Sequence, residues 1–479
     1  MKDIKDFMQK YGIICIFLLS IISKLFLLFK FHEFFWDESV YMGMGKYIFS
    51  FGGVGLWESI RPPLLPFLVG GVWWSGLDAA LFSEFLIVLF SCGVLMLTYL
   101  IAEHIFDWKI GLASVCILAF TPVFFKFSSF VMTGIPSTFF VLLAIWFYIK
   151  DKGLVWVGVC AGLAFLTRYP QGIVIAALGF VIVCGRVKLF EKVMRFSAGV
   201  LAVFVPFVIF NYLMYRNEVV NIIHAALRPL IFAFKHQGNV FESVTGFAYN
   251  YLYYFINLFG ENYLLIFALP GLVWGIKKYR LKILPLVVPL ALYLIYFSLI
   301  ANKQIRFSLA FLPIVAIFAG FGIVYCCRSA LKSGRLVKYS VFIVIIFVVC
   351  TTGYSVAVED WKVYHFRASG PPEIVSDFYY GYMNGLDEPI LVSDPTSMGY
   401  IDKLMIGFYQ DNIAGPQVYD MNKDKVGSII FHHSVYPCVD GDGDCNERNE
   451  EFFARLNYEN ELVDVKEYYG EKYYVFVRS

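Results

Sequence analysis

Two adjacent acids, Asp37 and Glu38, stand in Phe34-Phe35-Trp36-Asp37-Glu38-Ser39-Val40-Tyr41, directly after the first long apolar run. Near low dielectric a carboxylate acquires a partner or shifts its pKa. Either outcome suits a catalytic base or a cation ligand, and Asp37 with Glu58 would supply carboxylates for a metal. The plain alternative is that both acids only mark the end of a span. A second set of residues is basic: Arg61 before Pro62-Pro63, Arg168 before Tyr169-Pro170, and Lys303 with Arg306 in Lys303-Gln304-Ile305-Arg306-Phe307. A guanidinium fork matches phosphate oxygens two at a time. The competing readings are a snorkelling Arg61 or one paired with Glu58, and an Arg168 that caps a helix end. His224 and Arg228 lie in a long loop between Tyr212 and Tyr249 and could bind donor or acceptor, although a loop histidine is more often incidental.

The elements that carry these residues are membrane helices. The chain is 59% hydrophobic and 16% charged, more apolar surface than a soluble domain can hide. A formal net charge of +2 gives no reason to expect nucleic acid. About eleven spans centre near Tyr11–Leu28, Phe82–Ala102, Ile110–Phe125, Ser137–Ile149, Leu154–Leu166, Gly172–Cys184, Phe196–Tyr212, Tyr249–Gly275, Ile283–Ala301, Phe307–Tyr325 and Ser340–Val358. The apolar stretch Pro62–Gly76 is short and opens on Arg-Pro-Pro, so it reads as an interfacial or re-entrant helix. Lysines and arginines collect in alternate loops, at Lys2, Lys5 and Lys10; at Arg186, Lys188, Lys192 and Arg195; at Lys277, Lys278, Arg280 and Lys282; and at Arg328, Lys332, Arg335 and Lys338. Those loops are expected in the cytoplasm with the N-terminus, which puts the loops of Asp37, Thr133, Arg168, His224 and Arg306 outside.

Composition changes near Glu359. Residues 359–479 hold 22 acidic and 10 basic residues, near −12, which leaves the membrane part, residues 1–358, near +14. The tail is expected to be an extracytoplasmic α/β domain. Strands are expected at Ile390–Ser393 and Gly427–His432, helices at Pro372–Met383, Ser397–Phe408 and Glu447–Leu456, and a closing hairpin from Leu462–Tyr469 and Lys472–Val477. Cys438 and Cys445 are the tail's two cysteines, and a disulfide between them suits an oxidising exterior. Asp440, Asp442 and Asp444 alternate, with Glu451 at the twelfth position, as in a calcium loop; Cys445 stands where that loop needs a turning Gly, and a solvated acidic hairpin is the simpler reading.

In order along the chain come Asp37-Glu38-x-x-Tyr41, Arg61-Pro62-Pro63-Leu64, Val131-Met132-Thr133-Gly134-Ile135-Pro136-Ser137, Leu166-Thr167-Arg168-Tyr169, and Lys303-Gln304-Ile305-Arg306-Phe307 with Pro313 behind it. This series resembles the polytopic GT-C glycosyltransferases that use polyprenyl-phosphate sugars, among them protein O-mannosyltransferases and lipid A aminoarabinose transferases. The resemblance covers roughly residues 1–330. It implies a sugar arriving on a polyprenyl phosphate, an acceptor hydroxyl on a glycan, lipid or protein, and a cavity on the exterior face. It also implies Asp37 as base, Glu38 as its neighbour, Arg61, Arg168, Lys303 and Arg306 as phosphate contacts, and Tyr41, Glu58, Thr133, His224 and Arg228 as cavity residues. Relatives commonly carry an Asp where this chain has Gly134. If that acid serves a divalent cation or the sugar, the chemistry here is metal-independent, another acid such as Glu58 or Glu38 substitutes, or the protein is an inactive binding homologue. A transporter or lipid flippase would also explain intramembrane charge, but related halves are expected of one, and no internal repeat is evident.

Overall fold

A bilayer core offers no hydrogen bonds, so apolar runs that enter it fold as helices. The computed structural model describes residues 2–30, 33–58, 60–185, 188–215, 244–300, 303–366, 375–409, 413–432, 436, 444–468 and 471–478. Among them, six segments are long and apolar enough to cross a membrane: Tyr11–Leu28, Ala79–Ile105, Leu189–Tyr212, Tyr263–Leu299, Leu312–Leu331 and Lys338–Glu359. Shorter apolar helices form at Leu64–Trp74, Trp108–Ala119, Gly134–Ile149, Leu154–Thr167 and Tyr169–Cys184. A helix of 16 residues such as Gly134–Ile149 is only about 24 Å long. It buries Gly134, Ile135, Pro136, Ser137 and Thr138, so its N-terminal backbone groups end in protein and not in lipid.

Two expected spans are broken, and side chains at the second break satisfy groups at the first. The run Ile110–Phe125 divides into the helices Trp108–Ala119 and Pro122–Phe127. The run Tyr249–Gly275 divides at Asn262, between the helix Val244–Glu261 and a 3-10 turn Tyr263–Phe267 that leads into the helix Ala268–Tyr279. Breaking a helix orphans backbone groups. Glu261 Oε2 accepts the Val123 N–H at 2.7 Å, and Asn262 Nδ2 donates to the Ile117 carbonyl at 3.2 Å and to Thr121 Oγ1 at 3.0 Å. The last long helix runs Arg335–Phe366, 32 residues or about 48 Å, so it continues past the change in composition at Glu359.

The chain packs as two compact units. The first comprises Met1–Leu28, Ser59–Pro62 and Glu84–Phe366; the second comprises Phe29–Glu58, Pro63–Ser83 and Arg367–Ser479. Sequence order alone would leave the first loop with the membrane part, but packing groups it with the tail.

The second unit is built on a five-stranded sheet of order β2-β1-β3-β5-β4, from β1 Ile390–Val392, β2 Met405–Gly407, β3 Ser428–His432, β4 Asn460–Tyr468 and β5 Glu471–Arg478. Strands β1, β2 and β3 run parallel, and the β4–β5 hairpin closes the sheet antiparallel to β3. The helix expected at Ser397–Phe408 is not there. Pro395–Gly399 forms one 3-10 turn, and Met405–Gly407 becomes β2, with Ile406 opposite Leu391. Gly399 ends that turn and lets the Phe34 ring approach: a Cβ there would lie 2.4 Å from it. The helix expected at Pro372–Met383 is present in its described part, as a π-type helix Val375–Tyr382 followed by the 3-10 turn Met383–Gly385. A helix at Ala414–Asn422 was not expected, and Cys445–Glu459 contains the one foreseen at Glu447–Leu456.

Two first-loop helices complete this unit, Trp36–Phe49 and Leu64–Trp74. They cross at glycines: a Cβ on Gly70 would sit 2.3 Å from the Gly45 carbonyl oxygen. Val40, Met44 and Leu56 share one core with Phe378, Tyr379, Met398 and Met405 from the tail. Each such buried side chain contributes about 1.5–3 kcal/mol. A short parallel bridge adds to it, with Gly55 N–H donating to the Lys403 carbonyl at 2.8 Å and Met405 N–H donating to the Gly55 carbonyl at 2.9 Å.

Candidate active site

In the second unit, Asp37 and Glu38 occupy the first turn of the Trp36–Phe49 helix. A carboxylate there opposes the positive end of the helix dipole. The two acids are treated differently. Glu38 is fully buried, and its Oε2 accepts the Phe35 N–H at 2.9 Å, so it closes the start of its own helix. Asp37 is half-exposed. Tyr41, one turn on, is buried. Glu58 Oε1 accepts the Tyr409 hydroxyl at 2.6 Å, and the Tyr409 ring meets Trp36 edge-on at 5.1 Å. Asp37 and Glu58 are thus linked through Trp36 and Tyr409, with a tail residue between them.

In the first unit, three turns carry the cations. The Gly134–Ile149 helix begins at Thr133, which is buried. Thr138 Oγ1 donates to the Leu309 carbonyl at 2.9 Å, and Gln171 Nε2 donates to Ser137 Oγ at 3.2 Å. These bonds draw the helix start, the turn after Arg168 and the 3-10 turn Ile305–Ala310 together. As a result, Arg168 and Arg306 both lie over the Phe307 ring, at 4.9 and 5.7 Å from its centroid. Gln304 Oε1 orients Arg306 at 2.5 Å from Nε. Tyr169 donates its hydroxyl to the Arg61 carbonyl at 3.2 Å, which ties the Arg61 backbone to the Arg168 turn.

Lys303 belongs to a different arrangement. Its Nζ donates to the carbonyls of Ser298 at 2.8 Å and Ile300 at 2.5 Å, at the end of the Leu284–Leu299 helix. Burial holds the ammonium down to about 8. A lysine with those bonds caps a helix C-terminus, which accounts for it without a phosphate.

A cavity of about 390 Å³ opens beside Arg306, walled by Lys126, Glu261, Gln304, Glu359 and Lys362 among others. Lys362 pairs with Glu359 at 2.6 Å. None of Lys126, Glu261, Glu359 and Lys362 was singled out from the sequence. The signal for Glu261 was present, as a polar Glu-Asn pair interrupting an apolar run. Glu359 and Lys362 stand three residues apart where the last apolar run ends, a spacing that puts them on one helix face.

Gly134 faces Leu309 and Arg168. A Cβ there would lie 3.0 Å from Leu309 Cδ1 and 3.7 Å from Arg168 Nη1, so the acid found in relatives would meet Arg168. Among the described residues no group of three or more His, Cys, Asp or Glu side chains could hold a metal ion. Glu38 and Glu58 already accept hydrogen bonds from Phe35 and Tyr409. His224, Arg228, Asp440, Asp442 and Cys438 lie outside the described residues. Cys445 is disulfide-bonded, and eight other cysteines are free. The helix carrying Glu451 already begins at Cys445, the position where a calcium loop would turn.

A solved structure of ArnT from Cupriavidus metallidurans, bound to undecaprenyl phosphate, matches over 97% of this chain and 98% of its own, with TM-score 0.62 at 12% identity. The chain has the GT-C fold. The archaeal oligosaccharyltransferase AglB from Archaeoglobus fulgidus, solved with an inhibitory peptide and a dolichol-phosphate, shares this GT-C architecture with TM-score 0.59 and 13% identity, over 89% of this chain and 70% of that one. The family model described as dolichyl-phosphate-mannose-protein mannosyltransferase matches residues 62–210, a stretch holding Thr133, Gly134 and Arg168. No curated protein matches the chain. Family match, GT-C fold and apolar helices agree with the multi-pass membrane glycosyltransferase expected from the motif series.

Proposed function

We propose that this protein moves a sugar from a polyprenyl phosphate to an acceptor hydroxyl on the exterior face of the membrane. The observation that carries the reading is the pair of guanidiniums, Arg168 and Arg306, held over one ring, with Arg306 lining a charged cavity. Two such forks suit a phosphate leaving group. Asp37 takes the proton of the acceptor hydroxyl, whose oxygen then forms the new bond to C1 of the sugar. The bond from C1 to the phosphate oxygen breaks, and the phosphate keeps that electron pair next to Arg168 and Arg306. Glu38 holds the helix start that presents Asp37, and Arg61 adds positive charge near the Arg168 turn. The N-terminus is cytoplasmic, and the tail is extracytoplasmic, where nucleotide sugars are scarce and a donor needs its own lipid anchor. ArnT and AglB were solved with polyprenyl phosphates, which supports the donor class; sugar and acceptor are left open.

Asp37→Asn tests the base. In full-length protein given a polyprenyl-phosphate-sugar extract of the source cells, transfer is expected to fall by about 100-fold or more, the scale of general-base loss, with insertion unchanged. Arg306→Lys keeps the charge but loses the fork, and is expected to raise donor KM. Wild-type turnover in Asp37→Asn removes the base assignment.

A further inference from the structure

The helix that carries Asp37 is fastened to the tail by a buried lysine. Lys46, in the last turn of Trp36–Phe49, is 3% exposed. Its Nζ donates to the carbonyls of Met398 at 3.1 Å and Ile401 at 3.0 Å, and lies 2.8 Å from Asp402 Oδ1. The three ammonium protons therefore have three acceptors on one turn of the tail. Asp402 also receives the Trp73 indole N–H at 3.2 Å, so the second first-loop helix joins the same carboxylate. Ser39 Oγ donates to the Thr396 carbonyl at 3.1 Å, near the other end of the helix.

Burying an ammonium is costly, and an apolar residue would fill the space at lower cost. Burial indeed depresses the Lys46 pKa, against the pull of Asp402. What the ammonium adds is direction, since its three bonds fix how the helix is rotated. Lys46 stands nine residues after Asp37, and at 3.6 residues per turn the two side chains leave the helix on opposite faces. With Lys46 turned into the tail, Asp37 is turned away from that turn.

We propose that Lys46 is a positioning residue for the transfer reaction: bonded to Met398, Ile401 and Asp402, it sets the rotation of the helix that aims Asp37. This rests on the assignment of Asp37 as base. The test compares full-length wild type with Lys46→Met, Lys46→Arg, Asp402→Asn and, as a control on the tail's Lys423–Glu459 pair, Lys423→Met. Hydrogen exchange is read over residues 36–49, and transfer is read with the same polyprenyl-phosphate-sugar extract. In Lys46→Met, exchange over 36–49 is expected to rise about tenfold while β3 and β5 stay protected. Its kcat is expected to fall about tenfold or more, the scale of a misaimed group, with donor KM and the pH profile unchanged. Lys46→Arg restores part of the loss, and Lys423→Met matches wild type. If Lys46→Met fails to reach the membrane, Asp402→Asn, which keeps the packing, decides with a smaller shift in both readouts. Wild-type kcat in Lys46→Met, or in Asp402→Asn when it stands in, overturns the proposal. If Asp37→Asn is also at wild-type level, the base assignment has failed; if Asp37→Asn is dead, only the positioning role has.

Discussion

Glu38 and Asp37 are neighbours with different surroundings, and one peptide unit makes the difference. The third helical position, Glu38, is buried and accepts the Phe35 N–H, while Asp37 in the second is half-exposed. The pair was legible as chemistry because two acids beside an apolar span are costly without a role. Which one is buried was not legible, since it depends on helix phase. Arg168 and Arg306 were each visible, but 138 residues separate them, and their shared ring comes only from packing. Lys303 suggested phosphate by its type, and its bonds are to carbonyls three and five residues back. Gly134 makes a residue-scale prediction. Gly134→Asp is expected to fold, because only the tip of Leu309 must give way, and to engage Arg168. Donor KM measured on the purified variant should rise about threefold to fivefold, the scale of a partly exposed ion pair. Faster turnover instead would mean that the missing acid is a catalytic loss.

At the scale of elements, sequence patterns worked where one period dominated. The closing hairpin was readable from its alternation, and it pairs from Asn460 opposite Arg478 to Tyr468 opposite Glu471. The stretch Ser397–Phe408 misled because Met398, Ile401 and Met405 recur at helical spacing and are all buried. They face the core from a 3-10 turn and a strand, which an apolar period alone cannot separate from a helix. The breaks near Thr121 and Asn262 were hidden inside apolar runs: Glu261 and Asn262 serve the first, and Asn262 Oδ1 accepts the Leu264 N–H at the second. The crossing at Gly45 and Gly70 gives a prediction. Gly70→Val meets backbone and is expected to cost about 1–3 kcal/mol, seen as a lower unfolding temperature. Gly71→Ala, whose Cβ would make ordinary contact with Phe49 at 3.5 Å, should match wild type.

At the scale of the molecule, the membrane class and the acidic tail followed from composition, because burial of apolar surface and charge balance are sums over the chain. The GT-C fold followed from an ordered motif series that no single motif would have carried. The grouping of the first loop with the tail was invisible, since more than 300 residues intervene between Glu58 and Arg367 and no local pattern records a distant partner. That grouping has a consequence for heredity. The loop and the tail form a single heritable module written in two places in the gene. A chimera that receives a relative's tail alone should accumulate poorly and leave residues 36–49 open to protease. One that receives Phe29–Glu58, Pro63–Ser83 and the tail together should recover both. A lineage can therefore trade this tail only by trading the first loop with it.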